Sequence, residues 1–160
     1  MKMKIIAICA LALGSGSGAY AAKGGIGAIF GGLIGGAVGS VAGKAMADPE
    51  KVEKALVTMT NQINQRMPIT VDADTRWDNT TAGQGKRFTY NYTIVTLTSR
   101  EVDRTAIPSL FTKIKAGVCS NPDMAIFFKN GVTVGYSYRT SDGVFLSKLD
   151  IAPKDCGYAT

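Results

Sequence analysis

The densest set of groups able to do chemistry lies in one short run, DADTRWD, residues 72–78. It places Asp72, Asp74 and Asp78 around Arg76. Carboxylates at that spacing could share acid and base roles or hold a hard cation. The plainer expectation is a solvated strand face on which Arg76 pairs with a neighbouring aspartate. The spacing also lacks the EF-hand loop pattern. A second set is Tyr90, Tyr92, Tyr136 and Tyr138, at period two on two strand-like runs. Such a row makes either an aromatic floor for a ligand or protein, or ordinary cross-strand core packing. The candidate binding surface is therefore Asp72, Asp74 and Arg76 with Tyr136 and Tyr138.

Other chemistries lack their residues. The chain contains no histidine, so a Ser–His–Asp triad cannot form. Two thiols are an incomplete zinc ligand set. The glycine-rich stretch has no GK[ST] ending and cannot cradle phosphates as a P-loop does. No catalytic residue, metal or cofactor is expected, and the chain does not read as an enzyme.

The N-terminus is a targeting signal by pattern. Lys2 and Lys4 precede an apolar core from Ile5 to Leu13, and small residues lead to Ala19-Tyr20-Ala21. That is the layout of a secretory signal peptide with an A-x-A cleavage site, assigned to residues 1–21. The core is too short to span a bilayer. Removing Lys2 and Lys4 lowers the formal charge from +6 to +4. The chain carries no long basic run and no nucleic-acid-binding motif, so no nucleic acid partner is expected. Cleavage also removes Cys9, leaving Cys119 and Cys156 as an even pair on an oxidising side, which implies one disulfide.

Residues 22–47 form a segment of their own. Gly27, Gly31, Gly35, Gly39 and Gly43 recur every four residues, beside Gly32, Gly36 and Ser40. On a helix these rows make one broad bare face. Each glycine costs about 1 kcal/mol against alanine in a soluble helix, but a bilayer forces helix and rewards close backbone approach. The 20 residues from Gly24 to Gly43 would reach about 30 Å, one hydrocarbon thickness. The stretch resembles the glycine-zipper segments of bacterial envelope proteins, which implies membrane association or self-association into a homo-oligomer. A flexible linker is the alternative. If the signal is cleaved and the zipper spans, the domain returns to the reducing side; the cysteine pair argues instead for an external domain.

Residues 48–160 read as the folded domain. Asp48 caps a helix that Pro49 starts and Pro68 ends, with Val52, Ala55, Leu56, Met59 and Ile63 as its apolar stripe. ITVDADTRWDN alternates as one strand, and KRFTYNYTIVTLT as a second, joined through TAGQG. A helix follows over about 105–117, with Ile107, Leu110, Phe111, Ile114 and Val118 as its stripe. Asn121-Pro122 opens a short helix that Asn130-Gly131 stops. VTVGYSYRT and VFLSKLDIA flank SDG, a hairpin signal. The order α-β-β-α-α-β-β predicts an α+β domain: a small antiparallel sheet of about four strands, helices on one face, preceded by the Gly-rich apolar helix.

The runs DADTRWDNTTAGQGKRFTYNYTIV and CSNPDMAIFFKNGVTVGYSYRTSDG, with the late DC, carry a resemblance. From about Met67 to Cys156 the chain resembles a family of small exported bacterial proteins of unassigned function. The resemblance implies a secreted α+β module with the cysteine pair, and it supplies no catalytic residue. The expected role is that of a non-enzymatic envelope protein in the periplasm or on a membrane. It would associate with membrane or with itself through the zipper and present a protein-binding domain. The alternative is a periplasmic inhibitor or immunity-type module that blocks a toxin or hydrolase.

Overall fold

A computed structural model describes residues 48–159. The expected signal peptide, the glycine block with Gly27, Gly31, Gly35, Gly39 and Gly43, and the helix expected there lie outside the described residues. Among the described residues no helix is long and apolar enough to cross a membrane.

Helix α1 (Pro49–Asn64) begins as its sequence requires: the Asp48 carboxylate accepts from the Glu50 N–H at 3.0 Å, with Pro49 in the first turn. Its stripe of Val52, Ala55, Leu56, Met59 and Ile63 is buried. The chain then forms β1 (Ile69–Thr70), β2 (Thr75–Gly83) and β3 (Arg87–Ile94). A 3-10 turn (Arg104–Ala106) leads into α2 (Ile107–Ser120), and a second (Pro122–Met124) into α3 (Ala125–Lys129). Strands β4 (Thr133–Thr140) and β5 (Phe145–Ile151) follow, then a last 3-10 turn, Pro153–Cys156.

The domain is α+β, in the expected element order but for one added strand, with three helices against one sheet. The sheet differs from expectation in two respects. It has five strands in the order β1-β2-β3-β4-β5, and it is mixed rather than antiparallel, because β3 and β4 run parallel. The parallel pair follows from the connection: α2 and α3 carry the chain back along one face, so β4 re-enters in the direction of β3. The fifth strand comes from the alternating run, which folds back on itself. Ile69 pairs with Trp77 and Thr70 with Arg76, and Val71 to Asp74 make the turn between.

Two contacts lock α1 to the sheet. Asn64 donates from Nδ2 to the Thr80 carbonyl at 2.9 Å and accepts the Thr80 N–H at 2.8 Å. The Glu53 carboxylate accepts from the Gly85 and Lys86 N–H groups at 2.8 and 3.2 Å. It thereby holds the β2–β3 turn, in which Gly85 and Lys86 both take positive φ. At the other end, Cys119 at the close of α2 is bonded to Cys156, with Cα atoms 5.0 Å apart. Closing that loop of 37 residues is worth about 4 kcal/mol in the chain-entropy account.

Candidate functional site

Period two divides the sheet into two faces. The helix-covered face carries Thr75 and Trp77 on β2, Phe88, Tyr90, Tyr92 and Ile94 on β3, and Val134, Tyr136 and Tyr138 on β4, all buried. The rings form one continuous cluster. Tyr90 stacks on Tyr136 at 5.2 Å between centroids, Tyr92 on Tyr138 at 5.4 Å, and Trp77 lies 5.3 Å from Tyr90. Burial pushes the phenols of Tyr90, Tyr92, Tyr136 and Tyr138 well above the ordinary tyrosine range, and neighbouring tyrosines add to the shift at Tyr92 and Tyr136.

The structure therefore corrects the candidate surface at two positions. Tyr136 and Tyr138 are 3% and 4% exposed; they are core, because a partly covered sheet face buries its largest rings where the helices lie. The acidic run has structural work of its own. Asp72 accepts from the Asp74 and Thr75 N–H groups at 2.9 and 2.7 Å, closing the β1–β2 turn. Asp74 accepts from the Thr96 hydroxyl at 2.8 Å. Arg76 donates to Asp78 at 2.6 Å, and Asp78 also accepts from Thr93. The shift in register between Trp77 and Asn79 leaves Asp78 as an extra residue on β2. Asp72, Asp74 and Arg76 thus sit close together at one end of the sheet, the aspartates tying down a turn. Among the described residues no group of three or more His, Cys, Asp or Glu is placed to hold a metal ion.

An apolar surface appears instead along the stripe of α2, which is only partly buried. Ile114 and Val118 are buried, but Ile107, Leu110 and Phe111 are only partly covered. The Phe111 ring lies 6.4 Å from that of Tyr138. The outer part of this stripe thus adjoins the tyrosine row and reaches solvent. Periodicity identified these residues as apolar stripe; it carried no signal for how deeply α2 is seated.

No protein-family model matches the chain, and no curated protein matches its sequence. Solved structures do share its fold. A candidate secreted protein from Pseudomonas aeruginosa aligns with a TM-score of 0.58 and 16% identity, over 71% of this chain and 99% of its own. The type II secretion system pilotin AspS from Vibrio cholerae aligns with a TM-score of 0.53 and 12% identity, over 68% and 94%. The pilotin EpsS of the Vibrio vulnificus type 2 secretion system gives 0.56 and 9%, over 69% and 96%. At these identities the likeness is one of fold.

Proposed function

We propose that this chain is an exported envelope protein that works by binding another protein rather than by catalysis. The observation that carries this is the fold match, which takes in nearly the whole of two pilotins and of a candidate secreted protein. In this reading residues 1–21 direct export, residues 22–47 associate with a membrane or with further copies, and residues 48–160 form the binding domain. The disulfide between Cys119 and Cys156 suits an oxidising compartment. The partner is a component of a secretion apparatus, as the pilotins' names place those proteins in one. It docks on the partly exposed row Ile107, Leu110 and Phe111, where apolar side chains would complete the covering of α2. The inhibitor alternative has no observation in its favour.

The test is site-specific photo-crosslinking in intact cells. A crosslinker at Leu110 is expected to trap one discrete protein adduct, and one at Asn91 on the opposite sheet face none. Leu110→Asp in the same chain should abolish adducts trapped from Phe111. Equal labelling from both faces, or no adduct from α2, overturns the docking surface. Recovery of the protein with residues 1–21 intact in the cytoplasm overturns the envelope reading.

A further inference from the structure

The two edges of the sheet are finished differently. On the β1 side, β2 runs on past its short partner, and Asn64 takes up the Thr80 N–H and carbonyl that β1 does not reach. On the other side β5 ends the sheet. Among the described residues the backbone of Phe145–Ile151 makes no hydrogen bond beyond its ladder with β4. A strand edge left in that state is a template for another strand. The side chains agree. Ser147 and Leu149 share a face with Tyr138 and Tyr136 through the β4–β5 register, yet both remain half-covered. The covered face of the sheet thus thins out at Ser147 and Leu149, while Ile151 at the end of the strand is buried. On the opposite face Lys148 and Asp150 alternate, 3.1 Å apart.

We propose that β5 pairs with β5 of a second copy of this chain, antiparallel about a two-fold axis at Leu149. The charges select both the occupant and the register. With Leu149 opposite the second copy's Leu149, Lys148 lies opposite the second copy's Asp150, and the symmetric pair forms on the other side of the axis. Ser147 then lies opposite Ile151. Facing residues must share a sheet face, so the register slips only in steps of two. One step sets Lys148 against Lys148, and the other sets Asp150 against Asp150, both repulsive. The favoured register joins two Leu149 side chains on the thin side of the covered face. It continues the five-stranded sheet into one of ten strands, and it is a self-complementary contact of the kind a two-fold dimer requires. It does not rest on the proposed docking role of α2 or on the glycine block.

The experiment uses two differently tagged copies of the full chain, purified together, with co-capture as the readout. Lys148→Asp or Asp150→Lys alone places like charges opposite each other twice and is expected to weaken co-capture about ten-fold. Mixing the Lys148→Asp chain with the Asp150→Lys chain restores it, because each then meets its opposite. The double exchange within one chain restores it as well. Leu149→Cys should give a cross-linked dimer under mild oxidation, and Ser147→Cys alone should not. Co-capture indifferent to the single reversals overturns the proposal. So does failure of the mixed chains to recover, or equal cross-linking from Ser147 and Leu149.

Discussion

On the covered face, β2, β3 and β4 place Trp77, Tyr92 and Tyr138 in one cross-strand row; on the open face the adjoining row is Arg76, Thr93 and Arg139. The next open row is Asn79, Asn91, Ser137 and Lys148, and the one after it Thr81, Thr89, Gly135 and Asp150. One backbone therefore builds an aromatic floor and a flat polar surface from alternate residues. The two faces do different work. The first holds the helices on; the second is kept in shape by short side chains and by the Arg76–Asp78, Arg87–Asp150 and Lys148–Asp150 pairs. Exposed pairs of that kind contribute little to stability, so substitutions can separate the faces by size of effect.

The largest separation is expected between Phe88 and Asn91, three residues apart on β3. Phe88 is fully buried and packs edge-on to Tyr90 at 5.0 Å and against Phe127 at 5.7 Å. Phe88→Ala should cost about 3–5 kcal/mol in urea unfolding. Asn91 donates to Asn79 at 2.8 Å on the open face, and Asn91→Ala should stay within about 0.5 kcal/mol. Similar costs at the two positions would break the division and show that something covers the open face.

That division was largely legible in the residues, since Phe88, Tyr90, Tyr92 and Ile94 alternate with polar partners and Val52, Leu56, Met59 and Ile63 follow a helical period. The caps at Asp48 and Asn121 were legible too, because their side chains accept from the chain two residues on. What periodicity could not carry was tertiary. The run from Ile69 to Asn79 alternates as a single strand would, and only the Asp72 turn divides it. The parallel joining of β3 to β4 depends on how α2 and α3 cross the sheet, which no local pattern records. Tyr136 and Tyr138 fit a surface row or a core row equally well by spacing; helix placement decides between them. At Ile107, Leu110 and Phe111 the stripe was legible, and the depth of burial was not.

Gly135 sharpens the comparison from the open side. A Cβ there would lie 2.7 Å from the Thr89 hydroxyl and 2.8 Å from an Asp150 carboxylate oxygen. The small residue lets its row neighbours close over the strand. Gly135→Ala is expected to cost about 1 kcal/mol. In a chain that already carries Thr89→Ala and Asp150→Ala the same change should be near neutral, since the two closest atoms are gone and only the flexible Lys148 Cε, 3.1 Å from the added Cβ, must give. Thermal unfolding of the four combinations measures the coupling. An equal cost in both backgrounds would place the strain in the backbone instead.

The smallest effect is electrostatic and lies where the β4–β5 hairpin meets the chain after β3. Asp142 accepts from the Thr140 hydroxyl, and from the Ser99 hydroxyl at 2.7 Å and the Ser99 N–H at 3.1 Å. These bonds, Thr140 foremost, hold its carboxyl below the ordinary 3.8. The unfolded chain therefore takes up the proton first as pH falls. The stabilisation is complete above the ordinary carboxylate range and is lost as pH drops through 3.8 toward the lowered native value. Asp142→Asn should accordingly be slightly less stable than the parent at pH 7, with the gap closing in acid. Asp103 and Asp155 are lowered by their own bonds to Thr105 and Ala152, so both chains should still weaken in acid, the variant less steeply. Unfolding midpoints in urea at pH 7 and pH 3 check this. A gap that persists undiminished in acid would mean that Asp142 acts by shape rather than by charge. The end of the hairpin would then belong with the packed face rather than with the polar one.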